Sequence, residues 1–268
     1  MIPTPTRCAL MLLLCALAST AWAQQEPVSA GTEVFSSAPN DRIIRQIKQL
    51  HKEPARVMAD LQSRLQSERE GASRAEIYYL LALGNTRLNQ IDEAAGAITQ
   101  GLRLMEMVDN ELLLHRMLLS KAQILDKQGK AEEGLPYVNA VMQWAENAGV
   151  TQLYIGGLMT GGLLEMRLHY YDRALEKLLK AYQQASDHHT QINPSHIAGL
   201  IADAYQKRGD YAQSIPFVEE ALAFHRKRGN KLIQPRFLLE LATAYKKTAN
   251  EARIQPRSAP LAKLSCSS

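Results

Sequence analysis

Apolar residues recur along this chain at helical spacing in short paired bouts, and the polar breaks inside the pairs are evenly placed. Asn89, Gly129, His169 and Gly209 stand forty residues apart, each between one amphipathic stretch and the next. These residue types take a left-handed backbone at little or modest cost, which ends a helix. Packing chemistry keeps the same register. Seven residues before each break is a small side chain, Ala82, Ala122, Gly162, Ala202 and, on the same period, Ala242. Five after comes another small one, Ala94, Gly134, Ala174 or Ser214, and nine after a medium apolar one, Ile98, Val138, Leu178 or Val218. The pattern predicts helical hairpins stacked in series, whose two helices approach where the small residues meet.

Ahead of the array, residues 41–70 read as one more hairpin that caps the stack. Ile43, Ile44, Ile47 and Leu50 share one face and Val57, Met58, Leu61 and Leu65 another, with Asp41 as N-cap and Pro54 starting the second helix. A terminal repeat covers its neighbour on one side and meets water on the other, so it diverges from the rest. Pro136 and Pro216 share one position in the second helix of their hairpins, which predicts a late start or a bend there. Of the glycines Gly156, Gly157, Gly161 and Gly162, close packing accounts for Gly162, while the other three are expected to weaken their helix.

The stretch Ile201 to Leu222 places Ala202, Tyr205, Gly209-Asp210-Tyr211 and Ala221-Leu222 at set positions. A second copy runs from Gly162 through Tyr170-Tyr171-Asp172-Arg173-Ala174 to Ala181. These residues resemble the tetratricopeptide repeat family, in its long variant of about forty residues per unit. Earlier copies depart from it: Asn85 and Leu125 stand where Tyr205 does, and Gly101 and Val141 replace the late alanine. The resemblance covers about residues 75–248. It implies an all-α fold, a right-handed superhelical solenoid of antiparallel helix pairs, with four full repeats and one half within residues 71–248.

By the family's geometry the first helix of each unit lines a concave groove. The resemblance then assigns partner binding to Tyr79, Arg87, Arg116, Gln123, Lys127 and Met159, and further along to Met166, Arg167, His196, Asp203, Lys207, Arg236 and Lys247. Within this set Arg87, Lys127, Arg167, Lys207 and Lys247 repeat a cation every forty residues. Such a ladder can donate to carboxylates of a partner; equally, each cation offsets the macrodipole near a helix C-terminus. Met159 and Met166 read either as an adaptable apolar contact or as core.

The first residues bear on location. Arg7, the apolar run Cys8 to Ala18, and Ala21-Trp22-Ala23 before Gln24 predict a cleaved leader over residues 1–23 and export to the periplasm. Leu14 before Cys15 argues against lipid attachment. Residues 24–40 are polar and proline-bearing, which predicts a flexible linker. After cleavage only Cys266 remains, so no intrachain disulfide is expected and packing alone holds the fold. With 46% hydrophobic but only 6% aromatic residues, that packing is of Ala, Leu and Met between helices.

Phe237, Leu238, Leu241, Ala242 and Tyr245 begin a fifth copy whose second helix does not follow. Residues 249–268 carry Pro256 and Pro260 and read as an irregular tail. A half-repeat bares its neighbour's apolar side, which predicts either a truncated or frame-shifted product of a longer parent or a true short tail. An exported array of this kind is similar to the periplasmic input region of membrane-bound diguanylate cyclases. That resemblance implies a sensory input half, joined in the parent to a membrane helix and a cyclase domain; the cyclase's own Gly-Gly-Asp/Glu-Glu-Phe signature is missing here.

Catalytic chemistry finds little support. His188, His189 and His196 have only Asp187 and Asp203 nearby as further metal ligands, and no Gly-Lys-Ser/Thr follows the paired glycines. No catalytic residue, metal or cofactor is expected. After residue 200 twelve Lys or Arg face six acidic residues, yet the clusters lack interleaved stacking aromatics, so nucleic acid is not expected. A protein or peptide partner, with acidic groups where it meets the ladder, fits better; membrane association would need a segment not present. Two roles remain: sensory input, or a freestanding periplasmic adaptor or assembly chaperone.

Overall fold

A computed structural model describes residues 42–187 and 192–254. The leader, the linker, Asp41, His188-His189 and the tail with Pro256, Pro260 and Cys266 lie outside the described residues.

Eleven helices follow one another, and among the described residues there is no strand. They are α1 (Arg42–Lys52), α2 (Pro54–Ser67), α3 (Gly71–Arg87), α4 (Ile91–Met105), α5 (Glu111–Lys127) and α6 (Ala131–Asn147). Then come α7 (Thr151–Arg167), α8 (Tyr171–Asp187), α9 (Pro194–Arg208), α10 (Tyr211–Lys227) and α11 (Gln234–Ile254). Each packs on the next, and the first helices of successive hairpins also meet: α1 with α3, α3 with α5, α5 with α7, α7 with α9. The result is an all-α solenoid of hairpins, among the described residues five complete and a sixth represented by α11 alone.

The forty-residue breaks are left-handed in every case. Asn89 has φ 57°, Gly129 75°, His169 62° and Gly209 101°. Each closes its helix with the same bond: the amide one residue on reaches back to the carbonyl of Asn85, Leu125, Glu165 or Tyr205, at 2.8 to 2.9 Å. That is the bond of a Schellman ending, and it satisfies a carbonyl the helix would otherwise leave open. Gly149 and Gly229 do the same between hairpins, at φ 68° and 71°.

At the small-residue columns the two helices of a hairpin touch. A Cβ on Gly134 would lie 3.3 Å from the Ala122 carbonyl and 3.0 Å from Leu164; one on Gly162 would lie 3.3 Å from the Ala174 carbonyl and 2.7 Å from Leu178. Ala82, Ala122, Ala202, Ala94, Ala174 and Ser214 are fully buried, as are Val138, Leu178 and Val218 beside them. Each of those larger side chains contributes roughly 1.5–3 kcal/mol by its burial. Ala242 is exposed because its column faces the second helix of its own hairpin, and among the described residues none follows α11.

Two expectations change in part. Gly157 and Gly161 do not merely weaken α7: Met142 of α6 fills the space over Gly157, and Val138 and Lys177 that over Gly161. The helix is enclosed on nearly every side, so close approach offsets the helix propensity lost at each glycine. Nor do the internal prolines delay their helices. α6 begins at Ala131 and α10 at Tyr211, upstream of Pro136 and Pro216, which sit on the exposed face.

One column pair changes its chemistry without changing its place. Tyr205 on α9 stacks against Phe217 on α10, centroids 5.8 Å apart. One repeat earlier the same two positions are Glu165 and Lys177, joined at 2.7 Å, with Arg173 adding a second cation at 2.8 Å. Glu165 is fully buried and its other carboxylate oxygen has no hydrogen-bond partner. An ion pair here replaces an aromatic stack.

Gly162→Val is expected to destabilise the protein by about 1–3 kcal/mol through overpacking. Gly96→Ala, at an exposed helical site with nothing within 4 Å, should stabilise by roughly 0.5–1 kcal/mol; urea melts of both variants check the pair. Glu165→Tyr alone strands Lys177 without its carboxylate. The double variant Glu165→Tyr/Lys177→Phe installs the downstream stack and should recover at least about 1 kcal/mol of that loss, read from the same melts.

Candidate functional site

The cation ladder is built but largely occupied by the chain itself. Arg87, Lys127 and Arg167 end α3, α5 and α7, and Lys207 lies in the last turn of α9, all at the negative end of a helix dipole. Arg167 holds Asp126 of the preceding hairpin at 3.2 Å, and Lys207 holds Asp203 at 2.9 Å. Lys247 stands 5.6 Å over the Tyr211 ring. Arg87 and Lys127 also have partners.

Four of the positions assigned to the groove are interior instead. Tyr79 is 0% exposed, Met159 1%, Arg116 3% and Met166 4%. For Tyr79 and Met159 the reason is visible in their column, which also contains Leu119, Gly199 and Leu239. At Gly199 a Cβ would lie 3.0 Å from Phe237 of the following hairpin, so this column is where hairpins stack. Leu239, last in the column with no hairpin after α11 among the described residues, is 54% exposed. Gln123 is half-buried and donates to Thr160 on α7 at 3.2 Å. His196 sets its ring against Phe224, centroids 6.4 Å apart.

Asp203, Lys207 and Arg236 are the predicted residues that the fold brings together. They line a cavity of about 670 Å³ with Lys231, Leu232, Pro235, Leu239 and Glu240. It opens between α9 and α11, first helices in weaker contact than the earlier ones. Phe237 inserts over Gly199 and joins a core of Ala198, Ala202, Val218, Ala221 and Leu222, fixing the start of α11. Gly229, left-handed, turns the chain so that Lys231 and Leu232 reach the rim. Gln206 spans the two helices, donating to the Glu240 carbonyl at 3.2 Å and to Ser214 at 3.3 Å.

Within the cavity the charges pair along each helix. Lys207 binds Asp203, and Arg236 binds one oxygen of Glu240 at 2.7 Å. The second Glu240 oxygen is buried and has no hydrogen-bond partner among the described residues. Burial, aided by the Asp203 charge, raises the Glu240 carboxyl above the usual range against the opposing pull of Arg236 and Lys207. Behind the wall His225 is buried and stacks on Phe237 at 5.3 Å. Burial, with the charges of His196, Arg228 and Arg236, lowers its pKa and favours the neutral ring.

Lys231, Leu232, Pro235 and Glu240 were missed by the sequence reading. Glu240 carried a signal: its column otherwise holds Leu80, Ser120, Thr160 and Leu200, a buried or half-buried position where a carboxylate is out of place. Gly149 and Gly229, eighty residues apart, likewise announce a second turn column. Among the described residues no three His, Cys, Asp or Glu side chains converge as a metal site would need. No described helix is long and apolar enough to cross a membrane.

No protein-family profile matches the sequence and no curated protein does. Solved structures do. The apo form of RapI aligns with a TM-score of 0.60 at 12% identity, over 79% of this chain and 83% of that one. A Rap protein complexed with Competence and Sporulation Factor gives 0.65 at 12%, over 82% of this chain, which spans 64% of that one. A signal transduction ATPase with numerous domains and a tetratricopeptide repeat sensor, from Pyrococcus horikoshii, gives 0.64 at 14%, over 83% of this chain and 37% of that one. At these identities the likeness is one of fold, and the fold is a tetratricopeptide-like helical solenoid.

Proposed function

We propose that the protein is a non-catalytic binding module that holds a peptide or a protein segment against its first helices, with the α9–α11 cavity as the anchoring point. The observation that carries this reading is the cavity itself. It is a concave site in a stacked-helix fold, with charged groups of both signs beside exposed Leu232 and Leu239. Sites of this size and mixture take small ligands or chain ends. Two of the similar solenoids support it by analogy: one is seen with Competence and Sporulation Factor, the other serves as a sensor in a larger ATPase.

The leader-like residues 1–23 favour a periplasmic site for this activity, and the resemblance to diguanylate cyclase input regions favours sensory input over a freestanding adaptor or assembly chaperone. Binding between hairpins would alter curvature and so bias whatever domain the array is joined to. A partner meets the surface through acidic groups at Lys231, while Lys207, paired with Asp203, adds its positive charge beside it.

Mature protein is expected in the periplasmic fraction with Gln24 as its first residue, read by amino-terminal sequencing; recovery of residues 1–23 on cytoplasmic protein would overturn the location. Lys207→Glu/Lys231→Glu should cut partner capture from periplasmic extract by about tenfold or more, with far-ultraviolet circular dichroism unchanged. Capture by the variant equal to the parent's would remove this surface from the function.

A further inference from the structure

Resting on the reading above, we infer that the cavity between α9 and α11 takes a short apolar peptide by both of its ends, its free amino terminus at Glu240 and its carboxylate at Lys231.

Most polar atoms lining the cavity are already satisfied. Asp203 is held by Lys207, and Arg236 is spent on one oxygen of Glu240. What remains is a carboxylate oxygen without a donor and the ammonium of Lys231, which is exposed and has no partner among the described residues. An unpartnered buried acceptor costs about 1–3 kcal/mol, more when charged, and a ligand ammonium relieves that cost. The Glu240 side chain keeps 16% exposure. Its terminal torsion is broad, so the carboxylate can rotate to bring an oxygen to the wall, and the several donors of the Arg236 guanidinium can follow it.

Charge balance selects the other end. Lys207, Lys231 and Arg236 against Asp203 and Glu240 leave the cavity with one positive charge in excess. A ligand that brought only a cation would worsen this, and one that brought only an anion would leave Glu240 unsatisfied. A zwitterion answers both. Leu239 and Leu232 are 54% and 81% exposed, with Pro235 between them in sequence, and they offer an apolar seat for side chains between the two termini. The volume of about 670 Å³ suits a few residues.

The test is calorimetric titration of the full chain with Leu-Leu-Leu, its N-acetyl form, its C-terminal amide, and N-acetyl-Lys-Leu amide. The free tripeptide should bind. Acetylation or Glu240→Gln should each weaken it by about tenfold, roughly 1.4 kcal/mol, and the two losses should not add. Amidation and Lys231→Ala should behave as a second such pair. Binding of the free tripeptide should strengthen as pH rises from about 4 to 7, since Glu240 loses its proton late, and Glu240→Gln should flatten that rise. Equal binding of the acetylated form, or no binding of the free tripeptide, overturns the inference. Tightest binding by the lysyl peptide would assign the site to side chains of a protein partner and overturn it as well. If the tripeptide fails while protein capture still depends on Lys207 and Lys231, only this inference falls.

Discussion

Within each hairpin two helices meet backbone against backbone at one level, and the array follows from that contact. The Ala122 carbonyl faces Gly134, and the Ala174 carbonyl faces Gly162, at distances where a larger side chain on either partner would push the helices apart. Fixing that separation fixes where Val138 and Leu178 insert. Their depth in turn sets the surface that the next hairpin must match, which is why the small columns recur at every repeat. α7 takes the constraint furthest, with hairpins before and after it and glycine wherever Met142, Val138 or Leu178 presses in.

The turn and small-residue columns were legible because backbone geometry restricts them to few residue types. Asn89, Gly129, His169 and Gly209 all proved left-handed, and the hairpins follow from them. What periodicity could not decide was direction around the helix. Tyr79 and Met159 lie one column away from the groove and serve as stacking contacts between hairpins. The sequence shows that these positions recur, whereas which side they face depends on how successive hairpins are rotated. Exchange of chemistry within a column also hides from pattern reading. Glu165 with Lys177 and Tyr205 with Phe217 fill the same place by unrelated forces, and only their common offset of twelve residues links them.

The cavity lies where the repeat rule breaks. Up to α9 each first helix rests on its successor, and residues such as Leu119 are spent on that contact. At α11 the second helix is missing from the described residues and α9 is less closely engaged. With no hairpin after α11 among the described residues, Leu239 is left in solvent, and Glu240 occupies a column used elsewhere by Leu80, Ser120 or Thr160. Sequence reading put Asp203, Lys207 and Arg236 on one concave surface by family geometry. It had no means to add Lys231 and Leu232, whose position depends on the Gly229 turn.

The last helix has a mechanical consequence. Ala249 stands where α3, α5, α7 and α9 have their left-handed stop, and α11 runs on to 21 residues, about 30 Å in length. Phe237 pins it near its start, beside the cavity, while the far end projects past the level at which its counterparts finish. Tyr245 bonded to Glu219 and Lys247 over Tyr211 tie its middle to α10, so only the overhang is a free lever, and tilting α11 at the pin moves that tip farther than the pin itself.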